Sequence, residues 1–395
     1  MRALTFALLI VPACSASTTG ALGPADAPAG SDAPVGLGKD APVVPDALAG
    51  KADAPVTARP DAPVIPSPDA PVTAGCGPCP TGFHCGSTNG LAVCRNDQTN
   101  IPLFTHVFVI VMENLSYSTL TDSDNASASP FLHGLMTSGA YSSRYHGVTH
   151  PSLPNYIALT SGDSHGIGCD CAPTGDDGCN ALRCNTLIGA CNCSQAALNV
   201  ADQLESAGKS WRAYGEDMGL DTPCNLDDAG KYAVRHVPFL YYQDIQSNGD
   251  RCATHVVDYM NLGFDSPGDV PVFSFIAPNL THDMHDPILP GGRTNIANGD
   301  SWLQSTGVPT IVGLDAYKQG GLLVIVWDED DYSGIFDGDD PIPLFVLSPY
   351  AKVQYQSTVT ANHYSLLATF EDGLNLPRLG HAADAQPLAD FFPDQ

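Results

Sequence analysis

The chain has 395 residues, 43% of them hydrophobic, and sets 43 acidic residues against 16 basic ones for a formal net charge of −27. Such a field repels nucleic acids and other polyanions, so no nucleic-acid partner is expected; cations and small phosphate esters suit it better than long polyphosphates. Length and apolar content allow one large α/β domain of about 290 residues behind a non-globular front end.

Met1-Arg2 followed by the apolar run Ala3 to Val11 reads as a signal peptide within residues 1–16, too short to span a membrane. It ends in Val11-Pro12-Ala13-Cys14, similar to the cleavage box of bacterial lipoproteins although Pro12 is unusual there; cleavage after Ala16 is the alternative. Thirteen cysteines are an odd number, and lipidation of Cys14 would leave an even set free to pair. The expectation is an exported outer-membrane or cell-surface lipoprotein tethered through acylated Cys14, or otherwise a periplasmic or secreted protein. Residues 17–75 then repeat Asp-Ala-Pro at Asp26, Asp32, Asp40, Asp53, Asp61 and Asp69. Proline at that density forbids helix and the charges repel one another, which predicts a disordered, extended spacer.

Cys76, Cys79, Cys85 and Cys94 follow among few apolar residues. They predict a small module over 76–98 stapled by two disulfides, with a zinc site as the rival reading. The globular domain is placed at 99–395. Since every motif with chemical promise lies after residue 100, the front end is expected to be dispensable for activity. Cys169, Cys171, Cys179, Cys184, Cys191 and Cys193 crowd a later insertion, with Cys224 and Cys252 beyond it. An exported chain with this content belongs in an oxidising compartment.

Within the domain, Val109-Ile110-Val111-Met112-Glu113-Asn114 and Leu323-Val324-Ile325-Val326-Trp327-Asp328-Glu329 each read as a buried strand stopping at oxygen-bearing side chains. Apolar runs without alternation suit a parallel sheet covered on both faces, and ligands in such sheets bind beyond the carboxyl ends of the strands. Glu113, Asn114, Asp328 and Glu329 would together form an all-oxygen site for a hard divalent cation, provided the two strands lie side by side. Thr149-His150-Pro151-Ser152-Leu153-Pro154-Asn155-Tyr156 has the pattern of an N-cap and helix start, with Ser152 at the cap. A hydroxyl there faces free backbone N–H groups and can become a metal-activated nucleophile. Pro278 to Asp286 and Asn362-His363-Tyr364-Ser365 add imidazoles and carboxylates able to hold phosphate, bind a second metal or protonate a leaving group. Asp330, Asp331, Asp337, Asp339 and Asp340 read as a solvated acidic loop, with a weak calcium site as the alternative.

These strings, with Asp202-Gln203-Leu204-Glu205, Gly208-Lys209-Ser210-Trp211 and Tyr214-Gly215-Glu216-Asp217-Met218, resemble in order and over about residues 101–380 the bacterial phosphoesterases that group acid phosphatases with phospholipase C-type enzymes in the alkaline phosphatase superfamily. The resemblance implies a three-layer α/β sandwich with a largely parallel central sheet flanked by helices. It implies hydrolysis of phosphate monoesters through a phosphoserine at Ser152, with Thr149 the alternative nucleophile. It carries Glu113, Asn114, Asp328, Glu329 and the Ser152 oxygen over as ligands of one divalent metal ion: Mg²⁺, Ca²⁺, Mn²⁺ or Zn²⁺. His285 and His363 look like catalytic groups, and Asp283, Asn279 and Asn155 like substrate-binding ones. Asn279 and Asp283 stand where two-metal relatives place Asp and His ligands, which favours one metal and leaves a second open. A phospholipase C-type phosphodiesterase and a surface-binding protein on a retained enzyme scaffold are the competing functions.

Overall fold

The computed structural model describes residues 75–174, 176–177, 191–264, 266, 268–285, 293–331 and 340–393. The expected signal peptide with Cys14 and nearly all of the Asp-Ala-Pro spacer lie outside these residues, as do Cys179, Cys184, Asp286, Asp337 and Asp339.

Two short strands, β1 (Phe83–Thr88) and β2 (Leu91–Asn96), form an antiparallel hairpin. Its turn is Asn89-Gly90, both at positive φ (50° and 75°), the backbone a tight two-residue hairpin requires. Disulfides Cys76–Cys85 and Cys79–Cys94 staple it, as the cysteine spacing led one to expect. The hairpin is not a free module, however. Arg95 is fully buried and reaches the far end of the chain, donating to the carbonyls of Phe392 (3.0 Å) and Pro393 (2.9 Å) as well as to Asn100 Oδ1 (2.9 Å). Asn89 Nδ2 donates to the carbonyls of Pro349 and Ala351. Val93 joins the hydrophobic core of the domain. A boundary drawn at residue 98 therefore cuts through shared packing.

The domain is built on a nine-stranded sheet. Its strands are β3 (Val107–Met112), β4 (Ala140–His146), β5 (Trp211–Gly215), β6 (Val256–Asp258), β7 (Phe273–Ala277), β8 (Leu322–Trp327), β9 (Ile342–Leu347), β10 (Tyr355–Ser357) and β11 (Ala361–Asn362). The spatial order is β10-β4-β9-β8-β3-β7-β5-β6, with β11 also on β4. Every residue of β3, β7, β8 and β9 is buried, so both faces of the sheet are covered. The pairings β8–β3, β3–β7, β7–β5 and β5–β6 are all parallel. Only β9 runs against its neighbours β8 and β4. Parallel strands point their carboxyl ends to one edge, so residues after β3, β5, β7 and β8 gather there. The register pairs Met112 with Trp327, which puts Glu113 and Asp328 one step beyond the same rung.

Helix Ser152–Ser161 is buried along its whole length. It ends at Gly162 in the left-handed region (φ 79°), where a Cβ would come within 2.4 Å of the Leu379 carbonyl oxygen, so only glycine fits. Cys171–Cys193 and Cys224–Cys252 are further disulfides, and Cys169 is disulfide-bonded too. This oxidised set marks an exported protein. Among the described residues no helix is long and apolar enough to cross a membrane.

Candidate active site

The two strand ends meet as the sequence suggested, across a separation of 215 positions: Asn114 Nδ2 donates to Glu329 Oε1 (3.1 Å) and the Asn114 backbone N–H to Asp328 Oδ1 (3.2 Å). Ser152 Oγ lies 3.0 Å from Glu113 Oε2 and 3.2 Å from Glu329 Oε1. One hydroxyl proton thus has two carboxylate acceptors. Ser152 is the first residue of its helix, not the cap expected from the sequence: Pro151 holds the cap position without a side-chain bond, and the serine hydroxyl turns to the acids. The hydroxyl of Thr149, the alternative nucleophile, donates to the His150 carbonyl instead of reaching the acids, and the residue is exposed.

Glu113, Asp328 and Glu329 are almost wholly buried, as is Asp283. Burial pushes the Glu113 carboxyl well above its ordinary range, and the charges of Asp328 and Asp283 push it further, against a lowering bond from Tyr156. Burial, then the neighbouring Glu329, does the same to Asp328. Glu329 is raised by burial, opposed by His150, whose Nδ1 sits 2.5 Å from Glu329 Oε2.

Several side chains that sequence reasoning left without a role complete the cluster. Tyr156 donates to Glu113 Oε1 at 2.5 Å; lying one helical turn after Ser152 it shares that residue's face, a spacing legible in advance. The His236 ring stacks on Tyr156 at 5.3 Å and sets Nε2 3.2 Å from Glu113 Oε1 and Nδ1 3.5 Å from Asp283 Oδ2. Burial, with Arg235 and His285 nearby, drives the His236 pKa well down. His236 belongs to the short turn Val234–His236, which carries no motif or period to flag it.

The other expected residues are placed as follows. Asn155 does not face the cluster as a free amide: its Oδ1 accepts from the Val148 and Thr149 backbone N–H groups and its Nδ2 donates to the Thr149 and Pro151 carbonyls, clamping the loop ahead of Ser152. Gly147 lets that loop pass Asp328, whose carbonyl oxygen would be 3.0 Å from a Cβ there. His363, expected among the reacting groups, has both ring nitrogens turned inward. Nε2 bonds the Asp328 carbonyl (2.6 Å) and Nδ1 the Tyr145 hydroxyl (2.9 Å). Burial lowers its pKa to about 4. It braces the β8 end. Asn279 Nδ2 donates to Asp217 Oδ2 (2.7 Å), and its Oδ1 takes the Thr281 and His282 N–H groups. Glu216 secures the same loop, receiving bonds from the Asn279 N–H (2.9 Å), His282 Nδ1 (2.8 Å) and Trp302 Nε1 (3.1 Å). The held loop then delivers Asp283, whose carbonyl accepts the Glu113 N–H at 2.8 Å. His285 lines a cavity of about 440 Å³ with Arg235, Asp170 and Asp228. Asp170 Oδ1 in turn accepts the N–H of Leu153, next to Ser152.

The donor set fits a hard divalent cation. Asn114 Oδ1 and Asp328 Oδ2 are buried without a hydrogen-bond partner among the described residues. Leaving such atoms unsatisfied costs about 1–3 kcal/mol each. Together with mutually repelling carboxylates and no thiolate, that is the environment a cation would relieve.

A hydroxyl set among buried acids at the carboxyl edge of a parallel sheet is suited to attack on an ester of phosphoric acid. The chain is 30% identical over 302 residues to phosphatidylinositol-3-phosphatase of Mycobacterium tuberculosis, covering 74% of this chain and 85% of that protein. It is 27% identical to a probable acid phosphatase of Kluyveromyces lactis, over 72% of this chain and 62% of that protein. A solved structure of an alkaline phosphatase superfamily protein from Vibrio parahaemolyticus superposes with a TM-score of 0.45 at 13% identity, covering 78% of this chain and 72% of that one. This chain is a hydrolase acting on phosphate esters. Residues 125–377 match the Phosphoesterase family, and the chain belongs to it.

Proposed function

We propose that the enzyme hydrolyses phosphate monoesters through a phosphoserine at Ser152. The observation that carries this reading is the Ser152 hydroxyl, 3.0 Å from Glu113 and 3.2 Å from Glu329 and beside the unsatisfied Asn114 and Asp328 oxygens. The relatives named as phosphatases support it. Glu113, Asn114, Asp328, Glu329 and Ser152 are the residues that would hold one divalent cation. When bound, that cation supplies Lewis-acid polarisation of the phosphoryl group and lowers the pKa of the serine hydroxyl.

Ser152 Oγ attacks phosphorus and passes its proton to Glu113 or Glu329. Arg235 and His285, which line the cavity beyond Leu153, would hold the phosphoryl oxygens, and Asp283, whose Oδ1 accepts the His285 N–H (2.8 Å), would position His285. The bond to the departing alcohol breaks, and that oxygen takes a proton from His150, the imidazole between Glu329 (2.5 Å) and Asp330 (3.4 Å). Water then attacks the phosphoserine and gives a proton back to His150, the phosphorus–Oγ bond breaks, Ser152 Oγ regains its proton from Glu113 or Glu329, and inorganic phosphate leaves. Asn155, His363 and Asn279 act in this scheme as positioning residues.

The proposal extends to the front end: acylated Cys14 tethers the enzyme to a membrane surface, and the odd cysteine count supports it. Mass analysis of the mature N-terminus reads this directly, and an unmodified chain beginning at Ser17 refutes the tether. For the chemistry, phosphate release from 4-nitrophenyl phosphate and from a choline phosphodiester is compared. Release from the monoester alone is expected. Exclusive turnover of the diester would replace this reading with a phospholipase C-type one.

A further inference from the structure

The cysteine-rich stretch after the Ser152 helix takes no part in the steps above, yet its described part returns to the nucleophile. Asp170-Cys171-Ala172-Pro173 is tied down residue by residue. Cys171 is bonded to Cys193, and its carbonyl accepts from the Tyr241 hydroxyl (2.8 Å). The Ala172 carbonyl accepts the Cys193 N–H (3.1 Å), and that of Pro173 accepts from Gln246 Nε2 (2.8 Å). Tyr241 and Cys193 are themselves fully buried, so the ties run to the core. They leave the neighbouring Asp170 in a fixed place.

From there one carboxylate reaches two groups of the active site. Its Oδ1 accepts the Leu153 N–H at 2.9 Å, at the first turn of the helix that carries Ser152. Its Oδ2 lies 3.9 Å from Arg235 Nε. Among the described residues no other ion pair or side-chain hydrogen bond orients the Arg235 guanidinium. An arginine approached along its Nε edge keeps both Nη groups for a fork onto phosphoryl oxygens. The backbone of Arg235 is secured separately: Asp228 Oδ1 accepts the Val234 N–H (2.8 Å), and the His236 ring stacks on Tyr156. Two of the three carboxylates lining this cavity thus engage backbone N–H groups of the segments that present the nucleophile and the guanidinium.

We propose that Asp170 is a positioning residue that sets the Arg235 guanidinium against the start of the Ser152 helix, and that the cysteine-rich stretch serves the active site by delivering it. The inference rests on the monoester reading above, in which Arg235 holds phosphoryl oxygens. Its two contacts act on different kinetic constants. The ion pair fixes a group that holds the phosphoryl in ground state and transition state alike, so its loss falls on KM. The bond to Leu153 fixes the residue next to the attacking oxygen, so its loss falls on kcat.

The experiment uses the full chain with a divalent cation and 4-nitrophenyl phosphate, and reads kcat, KM and the competitive inhibition constant of inorganic phosphate. Asp170→Asn keeps an acceptor for the Leu153 N–H and removes the charge beside Arg235. It is expected to raise KM and the phosphate inhibition constant about three- to fivefold, the modest effect of a partly exposed pair, with a smaller change in kcat. Added to Arg235→Ala, it is expected to change neither constant further, because the group it acts through is gone. Asp170→Ala removes both contacts and is expected to lower kcat about tenfold as well. A carboxylate that only repelled the incoming dianion would do the reverse: Asp170→Asn would then lower both constants, with or without Arg235. That result, unchanged constants in Asp170→Asn, or a rise that persists undiminished beside Arg235→Ala overturns the inference and leaves the monoester reading standing. Parent-like constants in Arg235→Ala would take Arg235 out of the phosphoryl site and the inference with it. A parent chain that releases no phosphate from the ester overturns the monoester reading and the inference together.

Discussion

Two regions of this enzyme bury charge, and they do so in opposite ways. In the cysteine hairpin, Arg95 is fully buried and its guanidinium is answered by the Asn100 side chain and the Phe392 and Pro393 carbonyls. At the sheet edge, Glu113, Asp328, Glu329 and Asp283 crowd together; burial raises the Glu113, Asp328 and Glu329 carboxyls, the neighbouring charges raise Glu113 and Asp328 further, and two neighbouring oxygens have no hydrogen-bond partner among the described residues. A buried charge whose bonds are met fastens structure; buried acids left in mutual repulsion are unstable alone and are kept for a ligand. The difference separates scaffold from site without reference to any motif.

The sharpest way to break that contrast is at the site itself. Ser152→Ala is expected to lower kcat by about 10³-fold or more, as loss of a nucleophile does. The fold should survive, and so should most metal content by elemental analysis, because Glu113, Asn114, Asp328 and Glu329 remain. Thr149→Ala should stay within a few-fold of the parent; a dead Thr149→Ala beside an active Ser152→Ala would transfer the nucleophile. Exhaustive dialysis against EDTA should likewise abolish turnover, and full activity in protein shown free of metal would remove the cation from the scheme.

Glu371 tests whether an unmet acid always marks a ligand. It lies about two turns along its helix from His363 and accepts bonds from the Leu379 N–H (2.8 Å) and Gln203 (3.2 Å), while its Oε2 has no partner among the described residues. Burial, opposed by those bonds, pushes its pKa up to about 8 from an ordinary value near 4.5. The native state therefore keeps a proton that the unfolded chain releases, so this group costs stability progressively as pH rises from about 4.5 to about 8, on the order of a few kcal/mol in all. Glu371→Gln should flatten the fall in Tm over that window and leave stability at pH 4 nearly unchanged. An identical pH slope in both proteins would show that the carboxyl ionises without penalty.

Much of the edge was readable because its information is local. Val-Ile-Val runs stopping at Glu113-Asn114 and Asp328-Glu329 announce buried parallel strands and oxygen donors, and Ser-Leu-Pro-Asn announces a helix start. The pairing of β3 with β8 needed only that the two runs be neighbours. His236 and Arg235 were not readable: they sit in a short turn and are brought to Glu113 and Asp170 by tertiary packing alone. Nor was Arg95, which reads as a surface charge in a cysteine-rich segment until the C-terminus is seen to close over it. His363 and Asn155 drew attention correctly, but from sequence alone nothing distinguishes a group touching phosphate from one whose polar atoms are consumed by backbone.

Arg95 supplies the complementary test on the scaffold side. Arg95→Ala leaves the Phe392 and Pro393 carbonyls short of donors and opens a cavity, and should cost about 3 kcal/mol of stability. A chain beginning at Asn96 should lose at least as much, which departs from the sequence-based expectation that the front end is dispensable. In both, kcat per folded molecule should hold, measured below the new Tm. A fall in kcat at full foldedness would mean that the hairpin reaches the active site after all.

The smallest effect expected is the most diagnostic of how the site is held. Glu216 takes three donors, from the Asn279 N–H, His282 Nδ1 and Trp302 Nε1, and so fixes the loop that carries Asp283. It touches none of the residues expected to meet phosphorus. In Glu216→Gln one acceptor oxygen becomes an NH₂ group facing donors, so at least one of the three bonds must go while size and most packing remain. The loop should loosen by a fraction of an ångström, and kcat/KM should fall about tenfold, chiefly in kcat, since misplacement acts on the reaction geometry more than on ground-state binding. Glu216→Asp should do no better, because the shorter side chain cannot span the three donors. If Glu216→Gln leaves both kcat and metal affinity unmoved, the loop holds itself through Asn279 and its backbone bonds, and Glu216 belongs with Arg95 among the fasteners of the scaffold.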